Sequence, residues 1–316
     1  MSEQNNQSQQ PDDAAPQMQE AIKKRGYGLP SWLSTVTVLK IAAVIPNWAW
    51  RPIIRFAGWL SVWRHYRAPR QWRLNAAIMM GRQPTEAEMR AAMRSWFRNL
   101  AGSVRLGRLS QKQILRHVRV DDESARLVHD CWASTGAVIA LPHMGDWDLS
   151  GAWACAMGMP VSSVAERLPD EEFAYFMGVR KRVGMTIYSH KDHDSVSKLA
   201  DDLARGHLVA LVADRDLSRH SVPVVWQTPS GPQRVTMPPG PALVARKTGA
   251  ALLVAQSVYQ RSGITLRFMG PVEVDMGDDG VAVTMQRVAD YFAKLVTAKP
   301  VDWHLMQRFF PDVVAN

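Results

Sequence analysis

His143 and Asp148 are the two residues of this sequence whose types and spacing could do chemistry. They lie directly after an apolar segment, Gly136–Leu141, that predicts a buried strand. A histidine titrates near neutral pH and can take a proton from an alcohol. If the chain turns into a helix after Gly145, the carboxylate of Asp148 folds back to hold the imidazole tautomer and to favour the imidazolium. The pair predicts a general base that moves an acyl group onto a hydroxyl.

Alternating apolar and amphipathic segments must position this pair. From about residue 125 the pattern predicts strands at Gly136–Leu141, Val161–Ala165, Met185–Tyr188, Leu208–Ala213, Ala251–Val258 and Ile264–Phe268. It predicts helices at Asp148–Met157, Glu171–Arg182, Ser195–Arg205, Pro241–Lys247 and Val281–Leu295. This alternation implies an α/β fold with a mostly parallel central sheet flanked by helices. Such sheets carry their chemistry at strand ends, where His143 falls.

Two further charged clusters follow predicted strands. Glu166 and Arg167 come directly after the second strand, where a carboxylate and a guanidinium could grip a polyol or a phosphate. Asp214, Arg215 and Asp216 follow the fourth strand and could line the same cleft. For both clusters, a solvated surface loop is the alternative interpretation.

Motifs of other enzyme classes are missing from the sequence. It has no Gly-x-Ser-x-Gly elbow, no Walker loop and no Gly-x-Gly-x-x-Gly, which leaves elbow hydrolases and nucleotide-driven chemistry without support. Residues 190–194 have metal-ligand types without the spacing of a zinc or calcium site, so we predict a polar turn and no metal. The two cysteines, Cys131 and Cys155, predict small core residues and no disulfide.

Basic and Trp residues are concentrated in the first third of the chain. The net charge is +9, and between Arg51 and Arg119 fifteen Lys or Arg residues stand against two Glu. Arg beside Trp suits an anionic membrane surface, nucleic acid, or a face that only keeps the protein soluble. We interpret it as a membrane surface and predict no nucleic-acid partner. No segment reaches the roughly 20 apolar residues that a spanning helix needs, so the chain is predicted to lie on the membrane.

Two amphipathic helices are predicted within this region. The first places one stripe on a single face, a pattern more typical of core packing than of lipid contact: Ile53, Phe56, Leu60 and Trp63. The second begins at Thr85, whose spacing to Glu88 is that of a capping box. Its apolar side is predicted to consist of Met89, Met93, Trp96 and Leu100. A stripe of like charges repels itself unless an anion or acids elsewhere in the fold neutralise it: Arg90, Arg94 and Arg98.

The composition divides the chain into three regions. Residues 1–25 predict a disordered polar tail, residues 26–120 a basic, Trp-rich helical region that docks on membrane, and residues 121–316 an α/β acyltransferase core. Residues 26–316 are predicted to form one domain.

The order of these motifs resembles a known family. Over residues 28–312 the sequence is similar to the bacterial lysophospholipid and lipid A acyltransferases, which carry His-x4-Asp or His-x4-Glu, and most of all to actinobacterial phosphatidylinositol mannoside acyltransferases. The motifs, after the basic N-terminal region, are His143 to Asp148, Glu166-Arg167-Leu168, Arg180 before Gly184, Asp214 to Leu217, Arg234 to Ala250, Asp302-Trp303-His304 and Gln307-Arg308-Phe309.

The resemblance implies a reaction and a place in the cell. It implies a glycerol-3-phosphate acyltransferase-like fold, peripheral at the cytoplasmic face of the inner membrane. It implies transfer of a long acyl chain, usually palmitoyl, from acyl-coenzyme A to the 6-hydroxyl of the 2-linked mannose of a phosphatidylinositol mannoside. Acyl-coenzyme A is then a co-substrate, and no cofactor is expected.

The resemblance also implies roles for residues. His143 is the expected base and Asp148 its orienting partner, while Glu166 and Arg180 match the acceptor-contacting pair. Further substrate contacts are expected from Arg167, Asp214, Arg215, Asp216 and Arg234. One departure is Pro223, which stands where an acidic residue is expected.

Two other functions stay open at this stage. One is a lipid acyltransferase of the same superfamily that acts on lipid A precursors or lysophospholipids. The other is a non-catalytic module that uses the basic region to bind membrane or nucleic acid.

Overall fold

The structure, a computed structural model, describes residues 35–215 and 221–311 of the chain. The tail predicted at residues 1–25 and the predicted site residue Asp216 lie outside the described residues.

A seven-stranded sheet forms the centre of the fold. Its strands are β1 Val118–Arg119, β2 Ala137–Leu141, β3 Val161–Ala165, β4 Met185–Ser189, β5 Leu208–Val212, β8 Ala251–Tyr259 and β9 Ile264–Val272. They lie in the order β1-β9-β8-β2-β5-β3-β4. Only β8 and β9 pair antiparallel; the other neighbours are parallel. The predicted α/β fold with a mostly parallel sheet is confirmed.

Helices precede the sheet and fill the connections between its strands. Before β2 they are α1 Thr35–Val44, α2 Asn47–Trp63, α3 Arg67–Met80, α4 Glu86–Arg105, α5 Gln111–His117 and α6 Asp122–Ser134. After β2 they are α7 Trp147–Ala156, α8 Asp170–Arg182, α9 Ser195–Ala204, α10 Gly240–Thr248 and α11 Gly280–Ala298. The predicted helices and strands after residue 135 differ from these by a few residues at their ends.

Strand β2 lies at the centre of the sheet because both of its faces are apolar. All five of its residues are buried. Val138 and Ala140 belong to one core cluster, and Ala137, Ile139 and Leu141 to the other. Successive side chains of a strand point to opposite faces, so β2 contributes to both layers at once. His143 follows this rigid strand by two residues.

Helix α4 begins as predicted but buries a different face. Thr85 caps it reciprocally with Glu88. Of the four residues predicted on its apolar side, Met93 is fully buried but Leu100 is 43% exposed, so that part of the prediction was wrong. The buried face instead includes three small polar residues spaced by four: Ser95, Asn99 and Ser103. Their hydrogen bonds lead to the candidate site, which explains why this face is polar.

Helix α2 leaves its aromatic stripe uncovered. The side buried against the fold carries Ile54 and Val62, while Ile53, Phe56 and Trp63 are 43–61% exposed. The packing interpretation was therefore wrong for these three residues, while Leu60 is half-buried. A large apolar face without a partner is typical of an interaction surface.

A two-stranded hairpin, which the sequence did not predict, packs beside the sheet. Its strands are β6 Val222–Thr228 and β7 Gly231–Met237. Both main-chain polar groups of Val225 are bound by the Gln286 amide of α11, each at 2.8 Å. Pro223 and Pro232 hide the strands in the sequence, because Pro inside an apolar run argues against a strand.

Candidate active site

His143 pairs with Asp214, a residue from the neighbouring strand. The imidazole Nδ1 lies 2.5 Å from Oδ1 of Asp214, and the backbone N–H of His143 donates to Oδ2 at 2.9 Å. The two residues follow β2 and β5, which are adjacent and parallel, so their carboxyl ends meet at one edge of the sheet. The His143 side chain remains 22% exposed.

Asp214 is held as a buried carboxylate. Its side chain is fully buried and also accepts a hydrogen bond from Nε1 of Trp303 at 2.8 Å. Burial raises its pKa, but the charge and hydrogen bonds of His143 and the indole of Trp303 outweigh burial and leave the pKa below its usual value. An ionised Asp214 fixes the proton of the neutral imidazole on Nδ1. Nε2 then carries a free lone pair, and no described residue hydrogen-bonds to it.

Asp148 does not orient His143, contrary to the prediction. Its two carboxylate oxygens accept from Nε and Nη2 of Arg180 at 2.8 and 3.1 Å, and Oδ2 also accepts from Ser103 at 2.8 Å. The reason is that Asp148 lies in the first turn of α7, where α4 and α8 approach it. The carboxylate therefore joins three helices, α4, α7 and α8.

Gly145 makes the turn between His143 and α7 possible. Its φ is +60°, and a Cβ there would lie 2.4 Å from the carbonyl oxygen of Ser257. Its N–H donates to the carbonyl of Asp302 at 2.9 Å, and its carbonyl accepts from Asn99 at 3.3 Å. Contacts from residues distant in the sequence therefore hold this turn on both sides.

Asp146 caps α7 from a buried position. Its Oδ1 accepts from the backbone N–H of Leu149 at 3.0 Å. Burial raises its pKa to about 7, with a further contribution from the charge of Asp148, while the hydrogen bond from Leu149 opposes the shift. A Cβ on Gly102 would lie 2.5 Å from its Oδ2, so α4 can approach the cap only with glycine there.

Most main-chain donors of this turn already have acceptors. The N–H groups of Met144, Gly145 and Asp146 donate to Pro142, Asp302 and Ser257. Among the described residues, Trp147 has the one N–H of this run without an acceptor. Of the main-chain N–H groups from Met144 to Trp147, only that of Trp147 is therefore free, among the described residues, to donate to an oxyanion.

One residue from each of the two predicted charged clusters joins an ion pair beside the His143–Asp214 pair, the dyad. Nη1 of Arg215 lies 2.8 Å from Oε2 of Glu166, and both side chains are partly exposed. Arg215 directly follows Asp214, so this pair adjoins the His143–Asp214 pair. Arg167 contacts other residues: its Nη2 donates to Oδ1 of Asp170 at 2.6 Å, and its backbone N–H donates to Nδ1 of His190.

Arg234 is not brought into this cluster by any contact with a described residue. It lies exposed in β7, paired in register with Val225. Among residues 35–215 and 221–311, no group of three or more His, Cys, Asp and Glu is arranged to hold a metal ion.

Sequence reasoning missed the residues that support the site from behind. In the sequence Trp303 stands only within a motif, and no role was predicted for the polar face of α4. The signal for that face was present, because small polar residues spaced by four on a helix share one side. Their partners were not readable, since Ser95 binds Asp302 from 207 residues away, at 2.6 Å.

Comparison with known proteins supplies an independent finding. Residues 16–311 match the family described as bacterial lipid A biosynthesis acyltransferase. A phosphatidylinositol mannoside acyltransferase of Mycolicibacterium smegmatis is 30% identical over 249 residues, which cover 76% of this chain and 78% of that protein. One of Mycobacterium tuberculosis is 33% identical over 246 residues, which cover 76% of each chain.

Proposed function

The chain belongs to the bacterial lipid A biosynthesis acyltransferase family, and from this premise we propose that it acylates a phosphatidylinositol mannoside. The proposed donor is palmitoyl-coenzyme A. The proposed acceptor is the 6-hydroxyl of the 2-linked mannose in a mono- or dimannosylated lipid. The observation that carries the proposal is the contact between the partly exposed His143 imidazole and the buried Asp214 carboxylate.

The dyad accounts for each proton in the proposed reaction. Nε2 of His143 takes the proton of the mannose hydroxyl while its oxygen attacks the thioester carbonyl. The tetrahedral intermediate collapses, the C–S bond breaks, and the coenzyme A sulfur leaves with the proton that Nε2 returns. The carboxylate of Asp214 stabilises the imidazolium between these steps. General base catalysis of this kind contributes roughly 10²–10⁴-fold in rate, and no covalent enzyme intermediate is needed.

Charged groups beside the dyad suit a sugar phospholipid as acceptor. The Glu166–Arg215 pair offers a carboxylate and a guanidinium to sugar hydroxyls or to a phosphodiester. Two nitrogens of Arg180 donate to Asp148. We therefore propose that Arg180 holds Asp148 in place and presents its remaining N–H groups to the acceptor. Arg167, Asp216 and Arg234 are proposed to contact the substrates further from the reacting oxygen.

The uncovered face of α2 suits an anionic membrane. Trp48, Phe56 and Trp63 are 56–76% exposed, and Trp59 stacks on Trp63 with ring centroids 5.5 Å apart. An open groove of about 450 Å³ on this helix is lined by Arg51, Pro52, Arg55, Phe56 and Trp59. Aromatic rings at headgroup depth with Arg at the phosphates are the usual arrangement for interfacial binding. We propose that this face docks the protein peripherally on the cytoplasmic side of the inner membrane.

The lengths and polarities of the helices decide whether any of them could span a membrane. Within the described part of the chain, every helix is too short or too polar to traverse a bilayer.

Acyl transfer by the purified full chain tests the reaction. The assay uses palmitoyl-coenzyme A with the mono- or dimannosylated lipid, and compares His143→Ala with His129→Ala, an exposed histidine on α6. We expect product from the intact chain and from His129→Ala but not from His143→Ala. If the chain hydrolysed the thioester without transfer, and this still depended on His143, the acceptor would have to be another lipid. If the purified chain showed neither acyl transfer nor thioester hydrolysis, a binding module would remain as its function.

Vesicle binding tests the docking surface. The double variant Phe56→Ser/Trp59→Ser is compared with Leu243→Ser/Met276→Ser, which changes exposed apolar residues elsewhere on the fold. We expect only the first to lose binding to phosphatidylinositol-containing vesicles, and added salt to weaken binding of the intact chain. Equal binding to neutral and anionic vesicles at low salt would contradict the proposal.

A further inference from the structure

Trp303 lies directly behind the His143–Asp214 pair. It is fully buried, and its Nε1 lies 2.8 Å from Oδ2 of Asp214. The same oxygen accepts the backbone N–H of His143 at 2.9 Å, while Oδ1 accepts from the imidazole. Asp214 is thus held by three donors, one of which belongs to neither member of the dyad.

The indole is fixed where it stands. Its ring stacks on Trp226 with centroids 6.0 Å apart and meets the edge of Phe309 at 5.3 Å. Its main chain pairs with Met144 in an isolated bridge, and its carbonyl accepts from Nε1 of Trp72 at 3.0 Å. The donor therefore cannot turn away from Asp214 without repacking the core.

We infer that Trp303 is a positioning residue for the acyl transfer: its indole N–H holds the Asp214 carboxylate and, through it, sets the pH at which His143 becomes an active base. The inference rests on the proposed function, because it takes His143 as the base. It goes beyond that function by assigning to a residue distant from the substrate a measurable control over the dyad.

The physical reason is competition for the charge of one carboxylate. A carboxylate that accepts hydrogen bonds from three N–H groups attracts the imidazolium less than one that accepts from only two. Removing the indole N–H leaves both bonds to His143 in place and strengthens them. His143 then holds its proton to higher pH and is a base over a narrower range.

Among the described residues, three further titratable or charged side chains act near the pair or are linked to it: His304, Arg98 and the Arg215 that Glu166 neutralises. His304, whose backbone N–H donates to the carbonyl of His143 at 2.7 Å, is buried. Burial, followed by the charge of His143, lowers its pKa to about 3, so His304 adds no charge beside the pair near neutral pH. Arg98 acts on His304 from α4. Arg215, on the far side, is neutralised by Glu166.

Histidine NMR of the full chain tests the inference without turnover. The titration midpoint of the His143 imidazole is measured in Trp303→Phe and in Trp226→Phe. Trp226 is the matched control, since it is equally buried in the same aromatic cluster but donates its Nε1–H to the sulfur of Met237. We expect Trp303→Phe to raise the midpoint by about half a pH unit to one unit. We expect Trp226→Phe to leave it unchanged.

Two outcomes would overturn the inference. The first is the same midpoint in both variants, which would reduce Trp303 to packing. The second comes from the intact protein and so does not require Trp303→Phe to fold. There the NMR chemical shift of the Trp303 indole N–H should change with pH at the midpoint measured for His143. The shift of the Trp226 indole N–H should not change. If the Trp303 indole signal did not change over the titration of His143, the coupling between Trp303 and His143 would be refuted. Because neither readout needs acyl transfer, failure of the proposed function would appear separately, as a missing product.

Discussion

Nδ1 of His143 lies 2.5 Å from Oδ1 of Asp214, although 71 residues separate the two in the chain. The acidic residue five positions from His143 is instead bound to Arg180. A carboxylate buried on the far side of the imidazole does two things for a general base: it fixes the tautomer, and it stabilises the charge that proton transfer creates. We therefore expect the His143–Asp214 pair, and not His143 with Asp148, to act as the general base.

Asp214→Asn should lose most of the activity. An amide removes the negative charge that stabilises the imidazolium, so we expect kcat to fall by about 10²–10⁴-fold with KM little changed. Steady-state kinetics on the folded fraction measure this. Asp148→Asn is the matched comparison, and its folded fraction should keep most of its kcat. Equal losses in the two variants would restore Asp148 as a member of the catalytic pair.

Asp148→Asn should instead cost stability. Its carboxylate is almost fully buried on Arg180, whose guanidinium is only 18% exposed. Removing one partner of such a pair leaves a buried charge uncompensated and lowers the free energy of unfolding by about 3 kcal/mol. Urea unfolding of Asp148→Asn and of the double variant Asp148→Asn/Arg180→Met measures the effect. The double variant should recover part of the loss, and strict additivity of the two changes would contradict this account.

Glycine at position 102 should be required by packing. A Cβ there would lie 2.5 Å from a carboxylate oxygen of Asp146, so Gly102→Ala should lower the free energy of unfolding by about 1–3 kcal/mol. Gly178 lies within α8 with no atom near an added Cβ, and Gly178→Ala should stabilise the protein by about 0.5–1 kcal/mol. Thermal or urea unfolding compares them. The same sign for both would show that helix propensity, and not the contact with Asp146, decides the outcome.

Asp146 should make the protein less stable as pH rises. Burial, with the charge of Asp148, raises its folded pKa to about 7, whereas the unfolded chain releases this proton near 3.8. Between these values the folded state binds more protons, so the free energy of unfolding falls by up to about 1.4 kcal/mol per pH unit and then levels off.

Asp146→Asn isolates this contribution. Asparagine keeps the acceptor for Leu149 but does not titrate, so the variant should gain stability relative to the intact chain between pH 5 and pH 8. Urea unfolding at the two pH values measures the difference. A difference between the two proteins that does not change with pH would show that Asp146 is ionised throughout this range.

Part of the fold was readable because its signals are local. The apolar run at Gly136–Leu141 predicted β2, which begins one residue later than predicted and ends at the predicted residue. The cap at Thr85 was readable because Glu88, its partner, is three residues away. Helix and strand periodicities reflect contacts between near neighbours in the chain, which a sequence displays directly.

The sequence by itself determined the strand that carries His143, the turn at Gly145 and the alternation that builds a mostly parallel sheet. Only the tertiary structure decided that Asp214 and not Asp148 holds the imidazole, that Trp303 stands behind the pair, and that the stripe with Phe56 stays uncovered. The reason is that these depend on which strands are neighbours and on how helices pack. Pairing β2 with β5 joins residues 71 positions apart, and no short-range pattern records that choice.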